Sequence, residues 1–476
     1  MNARRQSLPR NQRGALLIVA MLLSAIIGVS LASYVRMSSN AMEISNRALF
    51  SNAAMNLAET GLEEAVWSIN KDIDGAAGAW TGWTTSGNDA SRGWSGYDLG
   101  ANATGVIRVF IDNYNGVGSA PIMVARSTVT PARGPTVEKW VEVTLVRRSL
   151  FANGLTARNQ ITFNGTCEVD AYDSRLGVYN AVLADGTRNR YARGRSASTS
   201  TQADTFSLGN ADIWGFVAVG TPDLSGLDVG PGGTIGPFNT PAGTVVSERV
   251  STDFTADFPN AVAPTPSGTI NAAPASWVTT LPAVGNVAAD DGKYYYNVPT
   301  GFSLTGAAAN RLTIAAGADV VLLFSQTTGT AISIGGNASI EVGTGSSLEI
   351  YTEANISIAG NGVANANTPE SFQIWGTAAD TSSPVQTISI SGNGQLNATV
   401  YAPNADLSVN GGGSNGHVSG AVVANNISLV GGSKFHYDES LADMTEGNPY
   451  GLGAWRELTT ATARAAYASD LAFAVP

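Results

Sequence analysis

Ile332-Ser333-Ile334-Gly335-Gly336 sets out a pattern, aliphatic-Ser-aliphatic-x-Gly. It recurs as Ile356-Ser357-Ile358-Ala359-Gly360, Ile388-Ser389-Ile390-Ser391-Gly392, Leu407-Ser408-Val409-Asn410-Gly411 and Ile427-Ser428-Leu429-Val430-Gly431. Successive copies start 24, 32, 19 and 20 residues apart, and Ile161-Thr162-Phe163-Asn164-Gly165 is a degenerate sixth. A period of two puts both aliphatic side chains on one face of a short strand and the serine on the other. More strand-like runs fall between copies: Ser339-Ile340-Glu341-Val342, Leu348-Glu349-Ile350-Tyr351, Thr399-Val400-Tyr401 and 418–424. One coil of such strands buries no core of its own. Stacked about 4.8 Å apart, coils share an aliphatic column and pair their backbones along the axis. Gly and Asn at the corners tolerate left-handed backbone. The body, 149–441, is therefore expected to be a right-handed parallel β-helix, with loops of variable length absorbing the unequal spacing. A β-sandwich with irregular hairpins is the competing arrangement. A Pro-rich stretch at 222–300 lacks the repeat and reads as an insertion or lateral cap.

Composition narrows the function classes. Residues 1–36 hold five arginines and no acid, whereas the rest carries 21 basic and 37 acidic groups, a net −16. An acidic body has no basic face for phosphates, so no nucleic-acid partner is expected. Cys167 is the only cysteine, which excludes an intrachain disulfide and a CxxC metal site. The two histidines, His417 and His436, are too few for a zinc cluster. Neither a metal nor a cofactor is expected.

Ala15 to Val35 carries no charge over 21 residues, about 30 Å of helix, the thickness of a bilayer core. Four arginines precede it, so residues 1–14 read as a cytoplasmic basic leader with the body on the far side of the membrane. A cleaved signal peptide ending at Ser30-Leu31-Ala32 is the bland alternative. Against it, an apolar seam continues without Gly or Pro through Met37, Ala41, Ile44, Ala48, Met55, Ala58, Leu62, Ala65 and Ile69, apart from the Gly at 61. One helix over 15–70 is the expectation, its first half in lipid and its second half amphipathic.

Gln12-Arg13-Gly14-Ala15-Leu16-Leu17 ahead of this helix, and Asn56-Leu57-Ala58-Glu59-Thr60-Gly61-Leu62-Glu63-Glu64-Ala65 within it, resemble PilX-type pilus assembly proteins, which are type IV minor-pilin-like. The resemblance implies prepilin-type cleavage between Gly14 and Ala15. It also implies helix packing through Ile44, Ala48, Met55, Ala58 and Leu62, and partners among other pilin-like subunits and the pilus assembly machinery. Val19 occupies the fifth mature position, where major pilins carry Glu. Two further motif groups resemble those of a β-helical domain found behind such helices: Phe151-Ala152-Asn153-Gly154 with Tyr172-Asp173-Ser174-Arg175-Leu176-Gly177 at its start, and 434–441 at its end.

Between helix and repeats, 71–102 reads as a Trp-rich surface loop. Three runs, 106–111, 122–129 and 137–146, then read as strands of a small antiparallel sheet covered on one face by the helix, completing a pilin-like unit over 71–148. Residues 442–476 are expected to cap the solenoid, with Trp455 and Leu458 as the plug and a short helix within 459–469.

For chemistry, Asp170, Asp173 and Arg175, or the row Glu341, Glu349 and Glu353, are the carboxylate candidates a polysaccharide-cleaving β-helix would use. The simpler reading of Asp173 and Arg175 is a turn ion pair, and of the glutamates, solvent-facing strand positions. His436 reads as a packed side chain and Cys167 as buried and inert. The function expected is a non-enzymatic structural component of a type IV pilus or related filament. It would sit in the inner membrane by a single pass, its body in the periplasm or on the cell surface, and meet a surface glycan or protein. A surface-tethered enzyme acting on polysaccharide is the alternative.

Overall fold

The computed structural model describes residues 10–73, 77–100, 103–115, 120–147, 149–391, 396–411, 417–444 and 449–473. Residues 1–9 of the leader therefore lie outside the described residues, as does Gly392 of the third repeat. The chain divides into one unit of 1–147 with 447–476 and a second of 148–446.

In the first unit one helix runs unbroken from Arg10 to Ile73, 64 residues or about 96 Å. From Leu17 onward it is long and apolar enough to cross a membrane. It is exposed as far as Leu49; burial begins at Phe50 and continues through Ala54, Leu57, Ala58, Leu62, Ala65 and Ile69. These side chains lie on an antiparallel sheet ordered Thr84–Ser86, Asp89–Asp98, Ala103–Asp112, Ile122–Pro131, Val137–Arg147 and Tyr450–Glu457. Two glycines let helix and sheet approach. A Cβ at Gly61 would stand 2.6 Å from Ile107 Cγ2, and one at Gly105 would stand 2.5 Å from Leu57 Cδ1.

Three expectations are corrected here. Asp89–Asp98 is a strand and not part of a loop. Its sequence lacks aliphatic alternation because backbone pairing to Ala103–Asp112 and an aromatic cluster hold it instead. Trp83 and Trp94 meet edge to face at 5.9 Å, and Arg92 lies over Trp94 while pairing with Glu64 at 3.0 Å. The second correction concerns 442–476, which does not supply a plug. Tyr450–Glu457 adds an edge strand beside Val137–Arg147, drawn there by Lys139–Glu457 at 2.8 Å and a bidentate Arg456–Glu142 pair at 2.6 and 2.7 Å. Leu458 is buried with Trp140, Val124 and Leu471, and Trp455 is half exposed. The sheet is thus covered on both faces, by the long helix on one and by residues after 457 on the other. A short helix, Ala461–Ala465, does form.

The second unit is a solenoid-like stack of parallel strands inserted in the chain between Val137–Arg147 and Tyr450–Glu457. Each turn supplies three strand positions, as in Asp319–Phe324, Thr330–Ile334 and Ser339–Val342, and each position pairs with its counterpart one turn on. These parallel ladders replace the hairpins a sandwich would need. The repeats stack in register: Phe302, Ile332, Ile356, Ile388, Leu407 and Ile427 follow one another, with the intervening serines aligned outside. Ile340, Ile356, Ile388 and Ile427 are at most 1% exposed. The repeat glycines form a corner column. A Cβ at Gly360, where φ is +68°, would stand 1.9 Å from the carbonyl oxygen of Gly336.

The coils are not stacked in chain order. Leu155–Gly165, the degenerate sixth copy, pairs in register with His417–Gly431, placing Ile161 on Ile427 and Gly165 on Gly431. The chain thus enters the stack at its middle and builds outward to Val250–Ser251. It then crosses to the far end at Ile270–Ala272 and builds back to the middle. This corrects the Pro-rich insertion. Parts of 222–300 are coil strands, Thr234–Gly236 and Tyr294–Val298 among them, and the remainder includes the crossing, 252–269. Its span covers roughly ten rungs, about 48 Å, which 18 extended residues reach easily. Phe258 and Ala261 pack on the core, and the carbonyl of Pro259 accepts from Tyr401 Oη at 2.7 Å.

Replacing Gly61 with Val forces the helix off the sheet. The expected loss is about 1–3 kcal/mol, read as a lower unfolding midpoint of the detergent-solubilised chain by circular dichroism. Gly360→Ala places a Cβ on backbone at a left-handed φ and is expected to cost a similar amount, about 1–3 kcal/mol, in the same assay.

Candidate functional site

The contact between the first coil and the last gathers polar side chains that lie far apart in sequence. On the third strand position, Asn397, Ser419, His436 and Asp170 follow one another on consecutive rungs. Asp170 and His436 are 0% and 1% exposed. His436 Nδ1 stands 2.5 Å from Asp170 Oδ1, and its Nε2 stands 2.7 Å from His417 Nδ1. Asp170 Oδ2 also accepts from Tyr179 Oη at 2.7 Å and from Arg190 Nε at 2.5 Å. Arg190 reaches Glu168 as well, and Glu168 accepts from Trp214 Nε1 at 3.1 Å.

Three donors converging on one carboxyl group fix its role as acceptor. The Nδ1 proton of His436 points to it. With that proton on Nδ1, His436 presents Nε2 to His417 Nδ1. The Tyr179 ring stacks on His436 with centroids 3.6 Å apart. Burial, followed by the nearby Asp170 charge, pushes the Tyr179 phenol well above its usual range, so it remains a donor. The chain can thus hold and orient an imidazole, and it can relay a proton between His436 and His417.

The loop that carries Tyr179 leaves the strand Glu168–Tyr172 and is pinned to the other side of the junction. Ser174 N donates to Asp438 Oδ1 at 2.9 Å, and the Ser174 and Ser440 hydroxyls lie 2.9 Å apart. Tyr437 Oη donates to the carbonyls of Phe151 and Ala152 at 3.1 and 3.0 Å. The motifs singled out at the two ends of the body are therefore two sides of one junction. Between the loop and the turn 365–369 lies a groove of about 710 Å³, to which His417, His436 and Tyr179 contribute.

The other residues singled out in the sequence do not converge. Gly14 and Ala15 fall within the helix, but their side chains lie outside the described residues. Ile44 and Ala48 are exposed and Met55 is half-buried. Ala58 and Leu62 are buried under the chain's own sheet, which corrects their assignment to packing between subunits. Asp173 and Arg175 make the turn ion pair at 2.8 Å, and the Arg175 hydrogen bond holds the Asp173 carboxyl below its ordinary value. Glu341 pairs with Arg311 at 2.6 Å and Glu349 with Lys293 at 2.7 Å, on different strand positions. His417 drew no attention from the sequence beyond its rarity, and its register neighbour two rungs away is Glu168, far off in the chain. Cys167 is buried, and desolvation pushes its thiol up to about 11.

Among comparisons with known proteins, a family model described as "Domain of unknown function (DUF7305)" matches residues 251–444. The match spans the crossing segment and the returning arm up to the junction. No curated protein and no solved structure matches the chain.

Asp170→Asn removes one of the two carboxylates that hold Arg190 and leaves Glu168 as the other. The expected cost is about 1.5–3 kcal/mol, measured by denaturant unfolding, with Tyr179→Phe costing about 1 kcal/mol. Cys167 is expected to resist maleimide in the folded protein up to pH 9 and to label within minutes in denaturant, followed by mass spectrometry.

Proposed function

We propose that this chain is a membrane-anchored, minor-pilin-like structural component of a type IV pilus or related secretion filament. It displays a right-handed parallel β-helix for surface adhesion or interaction, with a glycan or protein as its ligand. The observation that carries the reading is the single helix Arg10–Ile73, apolar and exposed in its first half and seated on an antiparallel sheet in its second. Such a helix has lipid or neighbouring helices as its natural surroundings over 17–49, while its own sheet holds 50–73. The resemblance of 12–17 and 56–65 to PilX-type proteins supplies the cleavage point, Gly14–Ala15, and the assembly machinery as partner. In a filament, Ile44 and Ala48 meet neighbouring helices.

A second reading, a surface-tethered enzyme acting on polysaccharide, draws on the Asp170–His436–His417 relay beside an open groove. Release of oligosaccharides from a polysaccharide panel, abolished by His417→Gln, would favour it over the structural reading.

N-terminal sequencing of the chain recovered from the cell envelope tests the main reading. The expected result is a mature terminus at Ala15 and co-purification with sheared filaments. Recovery solely from the soluble cytosolic fraction overturns it.

A further inference from the structure

We propose that the groove over the junction binds an uncharged saccharide, and that this is the surface through which the displayed β-helix recognises its ligand. The inference rests on the display reading and gives it a site and a ligand class.

The lining decides the chemistry. Apart from its two histidines, it holds no Asp, Glu, Lys or Arg. Below the surface Asp170 and Glu168 are paired with Arg190 and Lys434, and Asp438 is fully buried beside Tyr172. An anionic ligand would therefore meet no counter-charge among the described lining residues, and a purely apolar one would strand the polar wall. What lines the wall is side-chain amides and hydroxyls, Asn180, Asn365, Asn397, Thr368 and Ser419 among them. Amides and hydroxyls both donate and accept, as sugar hydroxyls do. The wall is also built, not incidental. Asn365 Nδ2 is held by the carbonyls of Thr368 and Asn397, each at 2.9 Å. Asn397 Nδ2 donates to Asn367 O at 2.6 Å. That bond fixes the Asn397 amide and leaves its Oδ1 buried without a hydrogen-bond donor.

The volume, about 710 Å³, lies within the range of small-molecule sites and accommodates a short oligosaccharide. Val178, 77% exposed at the rim, adds an apolar edge for the C–H face of a sugar ring.

The test uses the detergent-solubilised full chain on an array of neutral di- to tetrasaccharides of glucose, galactose, mannose and N-acetylglucosamine, beside sialylated and sulfated counterparts. Positives are followed by calorimetry. The expected result is binding of at least one neutral glycan. Ser419→Phe, which fills the groove, should weaken it at least tenfold, and so should Val178→Asp at the exposed rim, which leaves the fold intact. Binding restricted to acidic glycans, absence of neutral binding across the array, or neutral binding that survives Val178→Asp in a protein with an unchanged unfolding midpoint overturns the proposal. Filament co-purification and the Ala15 terminus are read on the same variants. A glycan-binding failure with both intact rejects the site alone, and their loss in the wild type rejects the display reading alone.

Discussion

The body of this protein depends on one set of backbone hydrogen bonds, the parallel pairing of Leu155–Gly165 and Glu168–Tyr172 with His417–Gly431 and Lys434–Asp438. Without it the body would be two separate stacks, each with an open strand edge. With it, the apolar column runs through without a break, from Ile427 to Ile161 and on to Phe206. Open edges are where β proteins aggregate, so closing two of them against each other protects the stack as much as it stabilises it. The corner glycines make the closure possible, because Gly165 meets the Gly431 carbonyl where any side chain would collide.

That junction also makes the polar site. Asp170 comes from the first coil and His436 from the last, 266 residues apart, and only their shared register brings carboxylate and imidazole together. The loop that stacks Tyr179 on His436 is anchored across the same boundary by Ser174 and Asp438. Scaffold and site are therefore one construction.

Much of this was legible in the residues. The aliphatic-Ser-aliphatic-x-Gly copies marked the inward positions because a period of two leaves an unambiguous trace. The uninterrupted apolar seam marked the long helix for the same reason. Even Ile161-Thr162-Phe163-Asn164-Gly165 was recognisable as a coil. Its neighbour was not, since pairing between 161 and 427 follows no spacing that the chain displays. The helix seam also misled at Ala58 and Leu62, because periodicity tells which face is buried but not against what. Asp89–Asp98 escaped notice since its place comes from a neighbouring backbone and from tryptophans instead of its own pattern. His417 and His436 were visible only as two rare residues; their partnership is a product of register.

The middle-out path of the chain has a consequence for biogenesis. The outward arm, 155–251, is synthesised first, yet the coil that covers its inner edge, 417–438, emerges last. Contacts of such long sequence separation form slowly. Throughout that interval the early arm presents a sticky, half-finished β surface. Once the final coil docks, that edge is covered and the groove beside Tyr179 appears in the same event. Truncated chains ending before 417 would thus lack His417, Ser419 and His436, and with them one wall of the groove.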